Sequence, residues 1–217
     1  MKKYYNIEGM IRSGYKLSRD YETLDFSYAR FGDDAVQAFA KSRSIKQVRR
    51  LTITGKKLTA LSAQALAESN GLPNLESLKL YKNKIGDEGV KYFAESTKLR
   101  NLKSLRLSWN NIGPQGAKYI ADSMKMQGLT TLVLSENHIG DEGVKAIAES
   151  ALFVNLRTLN LASNSISDVG AKYLATSKTL TSLRSLQLVV NDISEDGEKI
   201  LRNSTDLTQL TSLKFRV

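Results

Sequence analysis

The chain repeats itself every 27 residues, and this period constrains its fold more than any other feature of the sequence. The segment NLESLKLYKNKIGDEGVKYFAESTKLR at 74–100 is followed without a gap by NLKSLRLSWNNIGPQGAKYIADSMKMQ at 101–127. The same register extends in both directions, so that seven full units occupy 20–208 and a final strand begins at 209. A period of this length is the sequence signature of a solenoid, because no single unit can bury its own apolar face.

Within each unit the sequence predicts a short strand, a turn and a helix. We count positions from the first residue of a unit, so that Asn74 is position one. Leucines at positions two, five and seven, such as Leu78 and Leu80, follow the pattern of a strand with one buried face. Later apolar residues, such as Val90 and Phe93, follow helical spacing. Strands and helices that alternate in this way predict an α/β fold, a right-handed solenoid with parallel strands.

The unit pattern LxxLxLxxNxI…GxxxxA, present at 75–94, resembles the leucine-rich repeat. The unit length and the helical half resemble the ribonuclease-inhibitor-like subfamily, and the resemblance covers 20–217. It implies a horseshoe with a parallel β-sheet on the concave face and α-helices on the convex face. Ala29 and Lys56 depart from the asparagine of position ten, as expected of atypical units near a solenoid terminus. Position seventeen alternates between valine and alanine, as in the paired repeats of that subfamily, at Val36, Ala63, Val90, Ala117, Val144 and Ala171.

The acidic loop GDEG occurs twice, within IGDEGVK at 85–91 and at 139–145, and has the composition of a metal or catalytic site. We predict instead that position thirteen caps each helix and that position fourteen is the first helical residue. Pro114 replaces the acid at position fourteen in one unit. Proline is favoured in a first helical turn, as acidic residues are, but it could not replace a metal ligand or a catalytic carboxylate. The residues predicted to cap helices are Gly32, Thr59, Gly86, Gly113, Gly140, Ser167 and Ser194.

The other polar columns are also predicted to be structural. Asparagines at position ten should bond backbone groups where the strand turns, and serines at position twenty-three should bond carbonyls near the helix end. The single histidine, His138, is expected to be a solvated turn residue, and the chain has no cysteine. We therefore expect no catalytic residue, no metal site and no cofactor, which makes the protein non-enzymatic.

The variable positions of the strand segment carry the functional prediction. Positions three, four, six, eight and nine should face the concave surface or its rim, where basic residues outnumber acidic ones by ten to four. Tyr81 and Trp109 stand among these cations, and a strand spacing of about 4.8 Å should group them with Lys79, Lys82 and Arg106. The predicted partner-binding residues are Arg50, Lys79, Tyr81, Lys82, Lys103, Arg106, Trp109, Val189 and Val190.

Both ends of the chain depart from the repeat. Residues 1–19 are predicted either to cap the first unit or to form a basic arm that begins at Lys2 and Lys3. The final strand has no predicted cover, so that self-association through its edge is an alternative to continuation in a longer chain. The candidate cap residues are Tyr4, Tyr5, Ile7, Met10, Ile11 and Leu17. An apolar patch near the other end is expected at Ala162, Val189, Val190 and Val217.

These features favour a protein–protein interaction module that binds an acidic partner on its basic concave face. Three alternatives remain open: a regulator of a small GTPase, similar to the longer, acidic-tailed Ran GTPase-activating proteins; a bacterial effector; or an assembly protein. Nucleic-acid binding is disfavoured, because the sequence has no recognised motif and too few aromatic residues for a stacking platform. No apolar run spans a bilayer and no secretory signal is found, which predicts no membrane association and a cytoplasmic location, with delivery as an effector as the alternative.

Overall fold

The computed structural model describes residues 6–18, 20–27, 29 and 32–216. Within them the helices are α1 Ile7–Ser18, α2 Asp33–Ala40, α3 Ala60–Ala67, α4 Gly86–Glu95, α5 Pro114–Ala121, α6 Gly140–Glu149, α7 Asp168–Ala175 and α8 Glu195–Arg202. A 3-10 turn lies at Met124–Met126. The strands are β1 Thr23–Asp25, β2 Arg50–Thr52, β3 Ser77–Lys79, β4 Ser104–Arg106, β5 Thr131–Val133, β6 Thr158–Asn160, β7 Ser185–Gln187 and β8 Ser212–Lys214.

The eight strands form one parallel sheet in sequential order, and every pairing is offset by one repeat. Leu51 pairs with Leu78, and Leu78 pairs with Leu105, so that the same unit position runs straight across the sheet. The helices lie on the other side of the leucine columns, and both sides bury their apolar residues in one continuous core. The predicted α/β leucine-rich-repeat solenoid is therefore confirmed.

Two kinds of boundary join neighbouring units, and they differ in what accepts the N–H group of position thirteen. In the first kind, which we call the aspartate boundary, the acceptor is the aspartate at position fourteen of the preceding unit. Asp87 accepts from Gly113 N at 2.7 Å, and Asp141 accepts from Ser167 N at 2.9 Å. Residue thirteen is then extended, with φ between −76° and −110°, and caps its helix as predicted, at Thr59, Gly113, Ser167 and Ser194.

In the second kind, the glycine boundary, the preceding unit has no aspartate at position fourteen. Gly86 follows the unit that carries Ala60; it has φ +62° and donates its N–H to the backbone carbonyl of Asn110 at 2.9 Å. Helix α4 begins at Gly86 itself and has Ile85 as its N-cap. The prediction that this glycine caps the helix is therefore wrong here, because the glycine supplies a left-handed backbone instead. The corresponding residues of the other glycine boundary are Pro114, Ile139, Gly140 and Asn164.

The asparagines of position ten bond backbone groups of two adjacent units, as predicted. The Asn83 side-chain amide donates to the carbonyls of Ile53 at 2.9 Å and of Leu80 at 3.0 Å. Its Oδ1 accepts from the N–H groups of Lys56 and Leu58 at 3.0 and 3.1 Å. This column is occupied by structural bonds and leaves no amide free for chemistry.

The serines of position twenty-three also bond carbonyls at helix ends, but the carbonyl belongs to the preceding helix. Ser96 Oγ donates to Ala67 O at 2.5 Å, and Ser177 Oγ donates to Ala148 O at 2.5 Å. Each serine therefore ties its helix to the one before it. Ser42, in the first unit, donates instead to Glu8 Oε1 of α1 at 2.6 Å.

Helix α1 packs against the first unit through buried side chains of Ile7, Ile11 and Tyr15. Hydrogen bonds from Ser42 and Ser44 lower the pKa of Glu8, and burial raises the pKa of Tyr15 to about 12. The choice between cap and arm and the division of the chain at residue 19 stay predictions. The predicted arm and cap residues that lie outside the described part are Lys2, Lys3, Tyr4, Tyr5 and the side chain of Leu17.

Candidate functional site

The predicted partner-binding residues fall into two structural classes. Arg50, Lys79 and Arg106 lie at exposed positions of β2, β3 and β4. Lys79 and Arg106 are register partners, so that their side chains emerge side by side on the concave face. Lys103 lies on the rim, just before β4.

The remaining predicted residues lie beyond the strands, in the turns that follow them. The strands end at position six, so the sequence-based placement of positions eight and nine on the strands is wrong. The turns nevertheless continue the ladder, because Lys82 N donates to Ser108 O at 2.9 Å and Trp109 N donates to Ser135 O at 3.0 Å. Position nine has a left-handed backbone in every described unit, at Gly55, Lys82, Trp109, Glu136, Ser163 and Val190.

Cations beside β1 to β4 on the rim of the concave face are paired with acids. Arg49 contacts Glu76 at 2.6 Å and Glu22 at 3.3 Å. Lys103 Nζ lies 3.6 Å from the same Glu76 carboxylate. Arg50 pairs with Asp20 and Glu22, at 2.5 and 3.8 Å. The excess of positive charge counted along the sequence is therefore largely neutralised at this part of the rim.

The acid that sequence reasoning missed is Asp20. It stands at position one, outside the columns assigned to the concave face, and its carboxylate also accepts from Thr23 Oγ1 at 2.8 Å. Hydrogen bonds from the N–H of Glu22 and from Thr23, together with Arg50, hold the pKa of Asp20 well below its usual range. Arg49 lies 27 residues from both Glu22 and Glu76, so the repeat period places these side chains next to each other on adjacent units. Arg50 and Asp20 are 30 residues apart, and the period does not predict this pair.

The centre of the concave face differs from this part of the rim. Lys79 and Arg106 are exposed, and neither forms an ion pair within the part of the chain that the structure describes. Tyr81 is 39% exposed and Trp109 is 47% exposed, and Lys82 Nζ lies 6.0 Å from the centroid of the indole ring. We call these five residues, Lys79, Tyr81, Lys82, Arg106 and Trp109, the aromatic–cation patch.

The apolar residues near the C-terminal end lie apart from this patch. Val190 is 66% exposed and Val189 is half-buried, and both follow β7, four strands away from Tyr81. At about 4.8 Å per strand this is a separation of about 19 Å. Ala162 is half-buried in the preceding turn, and Val217 lies outside the described residues. The structure therefore separates the predicted residues into two sites.

No other arrangement in the described ranges suggests chemistry. His138 is exposed in its turn, and no group of histidine and carboxylate side chains there is arranged to hold a metal ion. None of the described helices is long and apolar enough to cross a membrane. The acids of the GDEG loops lie at helix N-termini, where Asp87 and Asp141 bond the next unit.

Comparisons with known proteins agree with this architecture. Four stretches match the family described as Leucine Rich repeat, at 71–94, 98–121, 126–148 and 154–175. The fold is similar to that of InlP from Listeria monocytogenes, with a TM-score of 0.58 and 18% sequence identity. The match covers 90% of this chain and 49% of the InlP chain, so this chain spans about half of that length. No curated protein sequence matches the chain.

These comparisons support the leucine-rich repeat and the solenoid fold, while the ribonuclease-inhibitor-like assignment stays a prediction. Repeats of this kind stack into extended surfaces that are typical of protein-interaction modules.

Proposed function

We propose that this leucine-rich-repeat solenoid is a non-enzymatic module that binds an acidic segment of a partner protein at the aromatic–cation patch. One observation carries the proposal: Lys79 and Arg106 are exposed side by side without an ion pair among the described residues, whereas rim cations such as Arg49 are paired. Unpaired cations attract an acidic partner without first breaking an internal ion pair.

The two aromatic residues supply the short-range part of the interaction. Tyr81 and Trp109 each keep a large exposed area beside the cations. Aromatic and arginine side chains are enriched among residues that dominate interface energies, because they bury much area with few rotatable bonds.

A displayed peptide library, selected on the wild-type protein, tests this function. We expect the recovered peptides to be rich in aspartate and glutamate. Their affinity should fall at least about tenfold for the double variant Arg106→Thr/Trp109→Ser. Both replacements occur at equivalent positions of other units, Thr52 and Ser163, so the variant should fold, which circular dichroism checks.

Arg184→Thr is the matched control for charge. It removes one exposed cation from position three, where other units carry Thr130 and Thr211. Retained binding by Arg184→Thr supports recognition at the patch, whereas equal losses in the two variants indicate general charge attraction and contradict it. The proposal also fails if the selected peptides are not acidic or bind the double variant unchanged. The cytoplasmic location and self-association through the β8 edge stay predictions.

A further inference from the structure

A second surface lies on the helical side of the solenoid, in a groove between α2 and α3. Its cavity volume is about 770 Å³, which falls within the range of sites that take a ligand or a peptide side chain. The floor includes Ala40 and Ala65, and Leu61 lies at its edge with 55% of its surface exposed. The groove is thus partly apolar although it is open to solvent.

The groove lies beside Ala65, a small residue at position nineteen of α3, and the same position of α6 is Ala146. On three later helices this position is tyrosine, at Tyr92, Tyr119 and Tyr173, and each ring packs against the core. Lys91 and Lys145 of the preceding helices lie over two of these rings, at 5.9 and 5.5 Å from the ring centroids. At the α2–α3 groove Gln37 and Ala65 occupy the equivalent positions and leave the space unfilled.

The rim of the groove is basic. Lys41, Arg43 and Lys46 line it, all three are exposed, and none forms an ion pair within the described ranges. The one acidic lining residue, Glu68, accepts a hydrogen bond from Gln64 Nε2 at 3.0 Å. Three cations therefore face solvent around a partly apolar floor.

The geometry points to an acidic peptide segment of a partner protein that places an apolar side chain in this groove and its carboxylates on Lys41, Arg43 and Lys46. The groove runs along α2 and α3 to their C-terminal ends, where the helix dipoles are negative. A bare anion is disfavoured at such a floor, whereas an apolar side chain is accommodated there. The carboxylates then meet the cations at the rim, which gives charge complementarity.

This site is independent of the aromatic–cation patch. It lies between helices on the convex side and uses the first two units, whereas the patch follows β3 and β4 on the concave side. Loss of one site should leave the other intact. Peptides selected for the aromatic–cation patch are therefore also measured on Ala65→Tyr, which fills the groove and should leave their affinity unchanged.

The test uses a short fluorescein-labelled peptide in which one leucine is flanked by glutamates. Two control peptides carry serine in place of the leucine or lysines in place of the glutamates. We expect fluorescence anisotropy to show tighter binding of the first peptide than of either control, because the serine peptide can use only the aromatic–cation patch and the lysine peptide neither site. Amide chemical-shift changes should then concentrate at 37–46 and 61–71, which line the groove.

Ala65→Tyr is the decisive variant, because it places in the groove the residue that three other units carry at this position. We expect it to weaken binding at least about tenfold. Ala146→Tyr is the matched control, since it makes the same change on α6 and should leave the affinity within about twofold. Arg106→Thr/Trp109→Ser removes any binding of the peptide at the aromatic–cation patch, and Ala65→Tyr should weaken binding in that background as well.

A charge pair of variants completes the experiment. Lys46→Glu should weaken binding of the glutamate peptide about tenfold, whereas Lys98→Glu, on an exposed residue away from the groove, should not. Unchanged binding by Ala65→Tyr would overturn the proposal, and so would equal binding of the leucine and serine peptides. Loss of binding in Arg106→Thr/Trp109→Ser alone would assign the peptide to the concave patch instead.

Discussion

The aspartate boundary and the glycine boundary put the same residue type into opposite backbone conformations. Gly113 and Gly86 share unit position thirteen, yet φ is −99° at the first and +62° at the second. The difference lies in the preceding unit, which offers the Asp87 carboxylate to Gly113 but only the methyl group of Ala60 at the equivalent place before Gly86. The backbone turns toward whichever acceptor is present, because an unbonded N–H at this partly buried place is costly.

The aspartate in each IGDEGVK segment holds two repeats together. Asp141 accepts from Ser167 N, from Ser167 Oγ and from Gly170 N, at 2.9, 2.5 and 3.0 Å. The carboxylate therefore joins two repeats in addition to favouring the first helical turn. An aspartate with these bonds is not available as a metal ligand or a general base, which explains physically why the motif is structural.

The largest effect is expected at the glycine of position sixteen in an aspartate boundary. A Cβ atom at Gly170 would overlap the Asp141 carboxylate and lie 2.6 Å from Ile166 Cγ2. Gly170→Ala should therefore lower the free energy of unfolding by about 3 kcal/mol, because overpacking is added to a displaced hydrogen-bond acceptor. Urea denaturation followed by circular dichroism measures this loss.

Gly143→Ala, in a glycine boundary, is the control for that change. Its Cβ would meet Ile139 Cγ2 at 2.6 Å and Ala117 Cβ at 3.1 Å but no carboxylate. Overpacking alone should cost about 1–2 kcal/mol. Equal losses at the two glycines would show that the aspartate contributes nothing to the difference.

The next largest effect is expected from serine substitutions at position thirteen, which test its backbone conformation directly. Gly140 has φ +59°, so Gly140→Ser should lower the free energy of unfolding by about 1–2 kcal/mol through backbone strain. Gly32 has φ −113° with open space around it, so Gly32→Ser should be neutral or stabilising by about 0.5 kcal/mol as a better N-cap. The opposite signs are checked by urea denaturation, and a common sign would contradict the distinction.

Much of the architecture could be predicted from the sequence, because it depends on residues within one unit. The leucine columns predict the strand and the core, and the spacing of 27 places Lys79 beside Arg106. The boundaries could not be predicted in this way, since they depend on a residue in the neighbouring unit. The signal was present: position thirteen is a glycine wherever the preceding unit has Ala60 or Pro114 in place of an aspartate.

The candidate site could also be predicted only in part from the residues of single units. The position of a cation within the 27-residue unit predicts whether it reaches the concave face. Whether that cation forms an ion pair depends on side-chain geometry, which cannot be read from the repeat. Arg50, which is predicted to bind a partner, is paired with Asp20, whereas Arg106 has no ion pair among the described residues. The α2–α3 groove also lies beside Ala65 at position nineteen, where three of the seven units carry tyrosine. Sequence alone does not show that this position borders a groove, because that depends on how α2 and α3 pack.

A double-mutant cycle tests whether one boundary can be converted into the other. Pro114→Asp supplies the missing carboxylate before Gly140, and both proline and aspartate suit a first helical turn. In that background the cost of Gly140→Ser should fall by about 1 kcal/mol, because residue thirteen can adopt the extended form. Strictly additive free energies of unfolding in the four proteins would show that the carboxylate does not control the backbone.

The smallest effect is a pH dependence at the last aspartate boundary. Hydrogen bonds from Ser194 Oγ and Ser194 N, at 2.6 and 2.8 Å, lower the pKa of Asp168 below its ordinary value of 3.8. The unfolded chain therefore binds a proton at higher pH than the folded chain does. The contribution of Asp168 to stability is complete above pH 3.8 and is lost as the pH falls through the lower, folded value.

Asp168→Asn isolates this contribution from the other carboxyl groups with lowered pKa, Glu8 and Asp20, which are common to both proteins. The difference in the free energy of unfolding between wild type and variant should be constant near neutral pH and shrink on acidification. Urea denaturation over an acidic pH series measures that difference. Because asparagine retains one acceptor oxygen for Ser194, the residual difference at low pH reports only the geometry of the bond. A difference that grows on acidification would mean that Asp168 is protonated in the folded chain and does not hold the boundary as a carboxylate.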